Sequence, residues 1–187
     1  MILQINWLLV PKRPTMQEFK LRPWSLHDLG SLVHHANNWN IAKNLTDAFP
    51  HPYTEESGRA FIAMATKDDP ARIFAIEVEG QAVGGIGIHP QSDIHRMNAE
   101  MGYWLAEPFW GRQIMRRAVR QMVEYGFQHF DIDRIFARPF GTNSASQRVL
   151  ESAGMQFEAH FIKTLYKSGE YLDEIFYAIR RADVVQP

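Results

Sequence analysis

Apolar residues recur along this chain in two periods, and the places where the period changes outline its elements. Between Leu26 and Ala36 the apolar positions Leu26, Leu29, Leu32, Val33 and Ala36 repeat at three and four residues, the spacing of one helix face, with Ser25 at the N-cap position. A second helix is predicted from the cap Thr54 to about Lys67, with Glu55 and Glu56 in the first turn where the helix dipole favours them. The longest carries Ile114, Met115, Ala118, Val119, Met122, Val123, Phe127 and Phe130 on one stripe. A fourth starts after the cap Asn143, presents Val149, Leu150 and Ala153, and stops at Gly154. Strand-like runs fill the rest: Glu18 to Pro23, then Arg72 to Glu79 and Gln81 to His89 around a tight Glu79-Gly80 turn. In Asn98 to Ala106, Ala99, Met101, Tyr103 and Leu105 alternate with Glu100, Gly102 and Trp104. Asp133 to Pro139, Gln156 to Tyr166 and Tyr171 to Ile179 complete the set. The runs Arg72 to Glu79, Gln81 to His89 and Asn98 to Ala106 make an antiparallel meander, and the order β-α-α-β-β-β-α-β-α-β-β predicts an α+β domain, one sheet flanked by helices.

Composition narrows the chemistry. A chain of 187 residues with 45% apolar and 22% charged positions suits one ordinary folded domain, here 17–181, with 1–16 as an extension or leader and 182–187 as a tail. The opening MILQINWLLVPKRPTMQEF is too short to span a bilayer and lacks both a basic n-region and a small-residue cleavage site. A cytoplasmic protein without a membrane partner is expected, and Met16 is an alternative start. No cysteine occurs, which excludes disulfides, thiolate metal sites and a cysteine nucleophile. The eight histidines form no HExxH or HxH pattern, so no metal is expected. Gly84-Gly85-Ile86-Gly87 lies inside a strand run and precedes no helix, which argues against a dinucleotide fingerprint.

The net charge of −1 gives no global pull toward nucleic acid, so any basic surface is local. One such place is EPFWGRQIMRRAV, Glu107 to Val119. Arg112, Arg116, Arg117 and Arg120 crowd the opening of the longest helix, with no acidic residue between Glu107 and Glu124. Cations there oppose the helix dipole by about 0.3–1 kcal/mol each. A polyphosphate bound at the helix mouth would supply the missing negative charge; arginines splayed into solvent are the alternative. The basic stripe is short and has no interleaved aromatics, so a nucleic-acid partner is not expected.

Four stretches resemble the GNAT superfamily of N-acetyltransferases, in particular its ribosomal-protein alanine acetyltransferase-like (Rim-type) group. They are FKLRPW (Phe19 to Trp24), FPHPYT (Phe49 to Thr54), AEMGYWLAEPFWGRQIM (Ala99 to Met115) and NSASQRVLESAGMQFEA (Asn143 to Ala159). The resemblance implies a mixed, largely antiparallel sheet of six to seven strands, flanked by about four helices and splayed between strands 4 and 5. It implies acetyl-coenzyme A (acetyl-CoA) as co-substrate, with Gly111, Arg112, Gln113, Ile114, Met115 and Arg116 around the pyrophosphate. The usual pattern there is Gln/Arg-x-x-Gly-x-Gly/Ala, whereas this chain has Trp110, Gln113 and Met115 at the three specified positions. A helical φ at Gln113 would tolerate the missing glycine.

By the same resemblance Met101, Tyr103, Trp104 and Leu105 flank the pantetheine arm. A backbone N–H near Met101 or Gly102 then polarises the thioester carbonyl. Asn143 and Ser146 match the family's pantetheine contact and the group near the sulfur; a plain N-cap and a plain helix-surface serine are the alternatives. Glu100 is the candidate base, in surroundings expected to be semi-apolar, or else a partner for a nearby arginine. Ser146, with Tyr166 a weaker candidate, would protonate the leaving thiolate. Phe49, His51 and Tyr53 would wall the acceptor pocket, or simply pack beneath a long loop. Without cysteine, direct acetyl transfer in a ternary complex is favoured over an acyl-enzyme. The acceptor is a primary amine, on a protein N-terminus or a small molecule. A non-catalytic acetyl-CoA sensor and a homodimeric assembly both remain open at this level.

Overall fold

The computed structural model describes residues 17–184, so the extension expected over 1–16 and the tail beyond 184 lie outside the described residues. The strands are β1 (Lys20–Pro23), β2 (Ile73–Val78), β3 (Gln81–Pro90), β4 (Asn98–Leu105), β5 (Arg134–Ala137), β6 (Gln156–Lys167) and β7 (Glu170–Arg180). The helices are α1 (Leu29–Ala36), α2 (Trp39–Ala42), α3 (Glu55–Ala65), α4 (Ile114–His129), α5 (Ser144–Ala153) and α6 (Arg181–Val184). All seven strands form one sheet in the order β1-β2-β3-β4-β5-β7-β6. The α+β class holds. The two helices beyond the four expected are four residues each, too short to show a period.

Local chemistry accounts for the turns and caps. Glu79 and Gly80 both take positive φ (51° and 82°), as a two-residue hairpin between right-twisted strands requires. Ser168 and Gly169 do the same between β6 and β7. Thr54 accepts from the Ser57 N–H at 3.2 Å, and Asn143 from that of Ser146 at 3.1 Å. Gly154 closes α5 in the left-handed conformation, φ 102°.

The sheet separates two cores, and alternation along β4 serves both. Ala99, Met101 and Leu105 join Ile114, Val119, Met122 and Leu150 beneath α4 and α5. Trp104 points the other way, to Trp24, Leu32 and Ile62 beneath α1 and α3. Helix α4 lies so close to the sheet that a Cβ at Gly126 would stand 2.3 Å from Ile88 Cδ1.

One pairing opens the sheet. β4 and β5 run parallel and share only three registered pairs, Asn98 with Arg134, Ala99 with Ile135 and Glu100 with Phe136. β4 continues to Leu105 while β5 stops at Ala137, so the strands part after Glu100. The expected splay between strands 4 and 5 is present.

Candidate active site

A cleft of about 760 Å³ opens where β4 and β5 part. Tyr103, Trp104 and Leu105 line it from β4; Gly111, Gln113, Ile114, Met115 and Arg116 from the approach to α4; Asn143 and Ser146 from α5. Ten residues expected to hold the co-substrate therefore converge in one groove. Met101 is instead a core side chain, 2% exposed, so only its backbone is available to a ligand on the parted edge. Sequence reasoning missed Asn40, Lys43, Asn44, Thr142 and Arg148, which also line the cleft. Arg148 had a signal, standing two residues after Ser146; Asn40 in α2 and Lys43 and Asn44 just after it had none, because a four-residue helix shows no period.

The approach to α4 corrects an expectation. Gln113 is not helical: it is the N-cap residue of α4, in the left-handed region at φ 62°, and Gly111 also has positive φ, 73°. An L-residue there sets Cβ against the following carbonyl at a cost of about 1–2 kcal/mol, so the missing glycine is felt. The N–H groups of the first turn, beginning at Ile114, have no intrahelical acceptor and point to the mouth.

The arginines are also only partly a ligand's concern. Arg116 Nε donates to the Ser152 carbonyl at 2.9 Å, and Arg120 donates to the carbonyls of Ser152 (2.9 Å) and Ala153 (3.4 Å). These close the C-terminal end of α5, where the helix dipole is negative. Arg117 donates to the Gln17 carbonyl and lies over the Phe19 ring; Arg112 lies over Phe109. Much of the missing negative charge is thus another helix's carbonyl end. Among the described residues, what faces the cleft is Lys43, Arg116 and Arg148, with no carboxylate in the lining. That charge, an open strand edge and a helix N-terminus fit an extended phosphorylated thioester such as acetyl-CoA.

Across the cleft, Tyr103 and Ser146 share a hydrogen bond of 2.7 Å between hydroxyls. Burial pushes the Tyr103 hydroxyl above its ordinary value, against the opposing pull of Ser146, so it stays protonated at neutral pH. Asn143 Oδ1 is committed to the cap of α5, the structural reading of that residue.

Glu100 stands apart from the cleft lining, and its expected semi-apolar surroundings are not found. Its carboxylate accepts from Arg138 Nε at 3.0 Å and Nη2 at 2.9 Å, while Arg138 Nη1 reaches Glu174 at 3.2 Å. The arginine-partner alternative describes its environment correctly. Phe49 meets Tyr53 at 5.0 Å and Trp104 at 5.8 Å between ring centroids, backing a residue that lines the cleft. Burial raises the Tyr53 hydroxyl to about 12. His51 packs on Trp39 instead, so the three expected pocket residues do not form one wall.

Residues 18–156 match the model of the acetyltransferase (GNAT) domain, and the chain belongs to that family. It is an acetyl-CoA-dependent N-acetyltransferase by class. The chain is 26% identical over 170 residues to the uncharacterized N-acetyltransferase YnaD of Bacillus subtilis, covering 90% of this chain and 94% of that one. It is 21% identical over 168 residues to spermidine N(1)-acetyltransferase of Escherichia coli, 87% and 86% of the two chains. Among solved structures, RimL, a ribosomal L7/L12 α-N-protein acetyltransferase in complex with coenzyme A, superposes with a TM-score of 0.76 at 20% identity, covering 90% of this chain and 97% of that one. The spermidine enzyme and RimL differ in acceptor. No described helix is long and apolar enough to cross a membrane, and the described residues hold no group of three or more candidate metal ligands.

Proposed function

We propose that the protein moves the acetyl group of acetyl-CoA directly onto a primary amine, on a small molecule or a protein N-terminus, within a ternary complex. The observation that carries this reading is the parted β4 edge, with the Tyr103–Ser146 hydroxyl pair on one side and the Glu100 carboxylate on the other face of the same strand. Bound acetyl-CoA supplies an acyl carbon already activated as a thioester. Lys43, Arg116, Arg148 and the α4 N-terminus hold its phosphates, and a backbone N–H near Met101 or Gly102 meets the developing oxyanion. Glu100 accepts the ammonium proton, directly or through one water. As the C–N bond forms the C–S bond breaks; the departing thiolate takes the Ser146 proton, Tyr103 passes its own to Ser146 along their shared hydrogen bond, and the proton that the nitrogen sheds on becoming an amide returns to Tyr103.

Thiol release over a broad amine panel tests the reading. Glu100→Gln is expected to lower kcat by about 100-fold, and Ser146→Ala by about tenfold, with acetyl-CoA still bound by calorimetry. Tight acetyl-CoA binding without turnover of any amine would mark a sensor instead, and no binding at all would overturn the reading entirely.

A further inference from the structure

Glu100, Gly102 and Trp104 project from one face of β4, opposite the core that holds Ala99, Met101 and Leu105. Gly102 is exposed, and a Cβ added there would meet no atom of the described residues beyond its chain neighbours within 4 Å, so among these the sheet floor is bare between the Glu100 carboxylate and the Trp104 ring. Its registered neighbour on β3 is another glycine, Gly87. Trp104 also lines the main cleft, so the notch and the cleft meet at this residue of β4.

The two ends of the notch differ in chemistry. Toward Glu100, Arg138 directly follows β5, reaches back across the parting strands and sits between two carboxylates, those of Glu100 and Glu174. The three groups sum to a formal charge of −1. Beside them runs an aromatic strip. Phe136, in register with Glu100, stacks on Phe176 at 5.9 Å, and Phe161 meets Phe176 edge-on at 5.2 Å while remaining 45% exposed. Arg134, lying over Phe136 and paired with Glu158, closes the far end.

We propose that the acceptor taken here is an amine with a single positive charge, an apolar or aromatic group beside it, and no carboxylate next to the nitrogen. The proposal rests on the acetyl-transfer reading above and names the substrate class of the same site. One ammonium matches the single unbalanced carboxylate charge; a second would confront the Arg138 guanidinium. A substrate carboxylate would face Glu100 and Glu174, which already hold that guanidinium. The aromatic strip offers an apolar flank its dry surface, or a place to stack. Aromatic monoamines and peptide N-termini with apolar leading residues share this chemistry.

The test compares kcat/KM, by thiol release, for phenylalaninamide, a phenylalanine-leading tripeptide amide, free phenylalanine and spermidine. Both amides are expected to exceed phenylalanine and spermidine by about tenfold or more, the scale of one unfavourable charge contact near a protein surface; whichever amide is better separates the small-molecule from the peptide source. Arg138→Gln, which changes the local charge from −1 to −2, should raise the spermidine-to-phenylalaninamide ratio severalfold. A purely structural role for Arg138 would lower both substrates together. Gly102→Val should raise KM for the amide about tenfold by filling the notch, with thermal unfolding as the control for folding. The proposal is overturned if phenylalanine or spermidine equals the amides, if the ratio stays fixed in Arg138→Gln, or if turnover is found only with amines outside this class. Absence of turnover with every amine would instead count against the acetyl-transfer reading.

Discussion

Replacing Gln113 by glycine isolates the feature in which this cleft departs most from its family pattern. Gln113 holds φ 62° as N-cap of α4, and its Oε1 receives only a 3.3 Å hydrogen bond from Arg116, at the surface. Glycine removes a left-handed penalty of about 1–2 kcal/mol. Against this stand about 0.4–1 kcal/mol for the freer unfolded chain and a few tenths for the lost exposed hydrogen bond. The net expectation is a gain of about 0.5 kcal/mol, which at 2–4 °C per kcal/mol for a domain of this size raises Tm by about 1–2 °C. The substitution also clears a side chain from the mouth, so acetyl-CoA should bind more tightly. Differential scanning fluorimetry with and without acetyl-CoA, followed by calorimetric titration, reads both effects. The sign is decisive: were Gln113 helical, glycine would cost about 1 kcal/mol. A Tm that falls by several degrees with weaker acetyl-CoA binding would refute the reasoning.

Two further outcomes are expected. Asp28, 6% exposed, accepts from Arg22 at 2.8 and 2.6 Å and from the Ser25 N–H at 2.9 Å. Burial alone would raise its carboxyl, but these partners together hold it below the ordinary range. A depressed folded value means that the unfolded chain binds the proton more readily, so this stabilisation is present above the ordinary carboxylate range and lost as pH falls through the folded value. Asp28→Ala should cost about 2 kcal/mol in urea unfolding at pH 7, and the gap to the wild type should narrow below about pH 4. Tyr103→Phe removes the hydroxyl that pairs with Ser146 and should lower kcat about tenfold while KM for acetyl-CoA moves less; an unchanged kcat in stopped-flow thiol release would exclude Tyr103 from proton delivery.

The elements were legible because burial on one face writes a period into the chain: β4 alternates, α4 repeats at three and four residues, and Thr54, Asn143 and Gly154 punctuate at the positions they occupy in the structure. Helix α2 escaped because four residues hold barely one turn. Gln113 escaped because QIMRRAV continues the helical pattern unbroken, while its backbone is set by the turn through Gly111.

The sequence by itself determined the seven strands and four longer helices, the two-faced character of β4 and, through four matching stretches, the family and ten of the residues that line the cleft. These follow from near neighbours along the chain, whose spacing is printed in it. Tertiary structure alone decided the charges' partners: Arg116 and Arg120 meet the carbonyl end of α5, and Glu100 meets Arg138, 38 positions away. No period links such residues. They are brought together only when the sheet closes and parts again after Glu100, and electrostatics, being a matter of distance through space, is settled there.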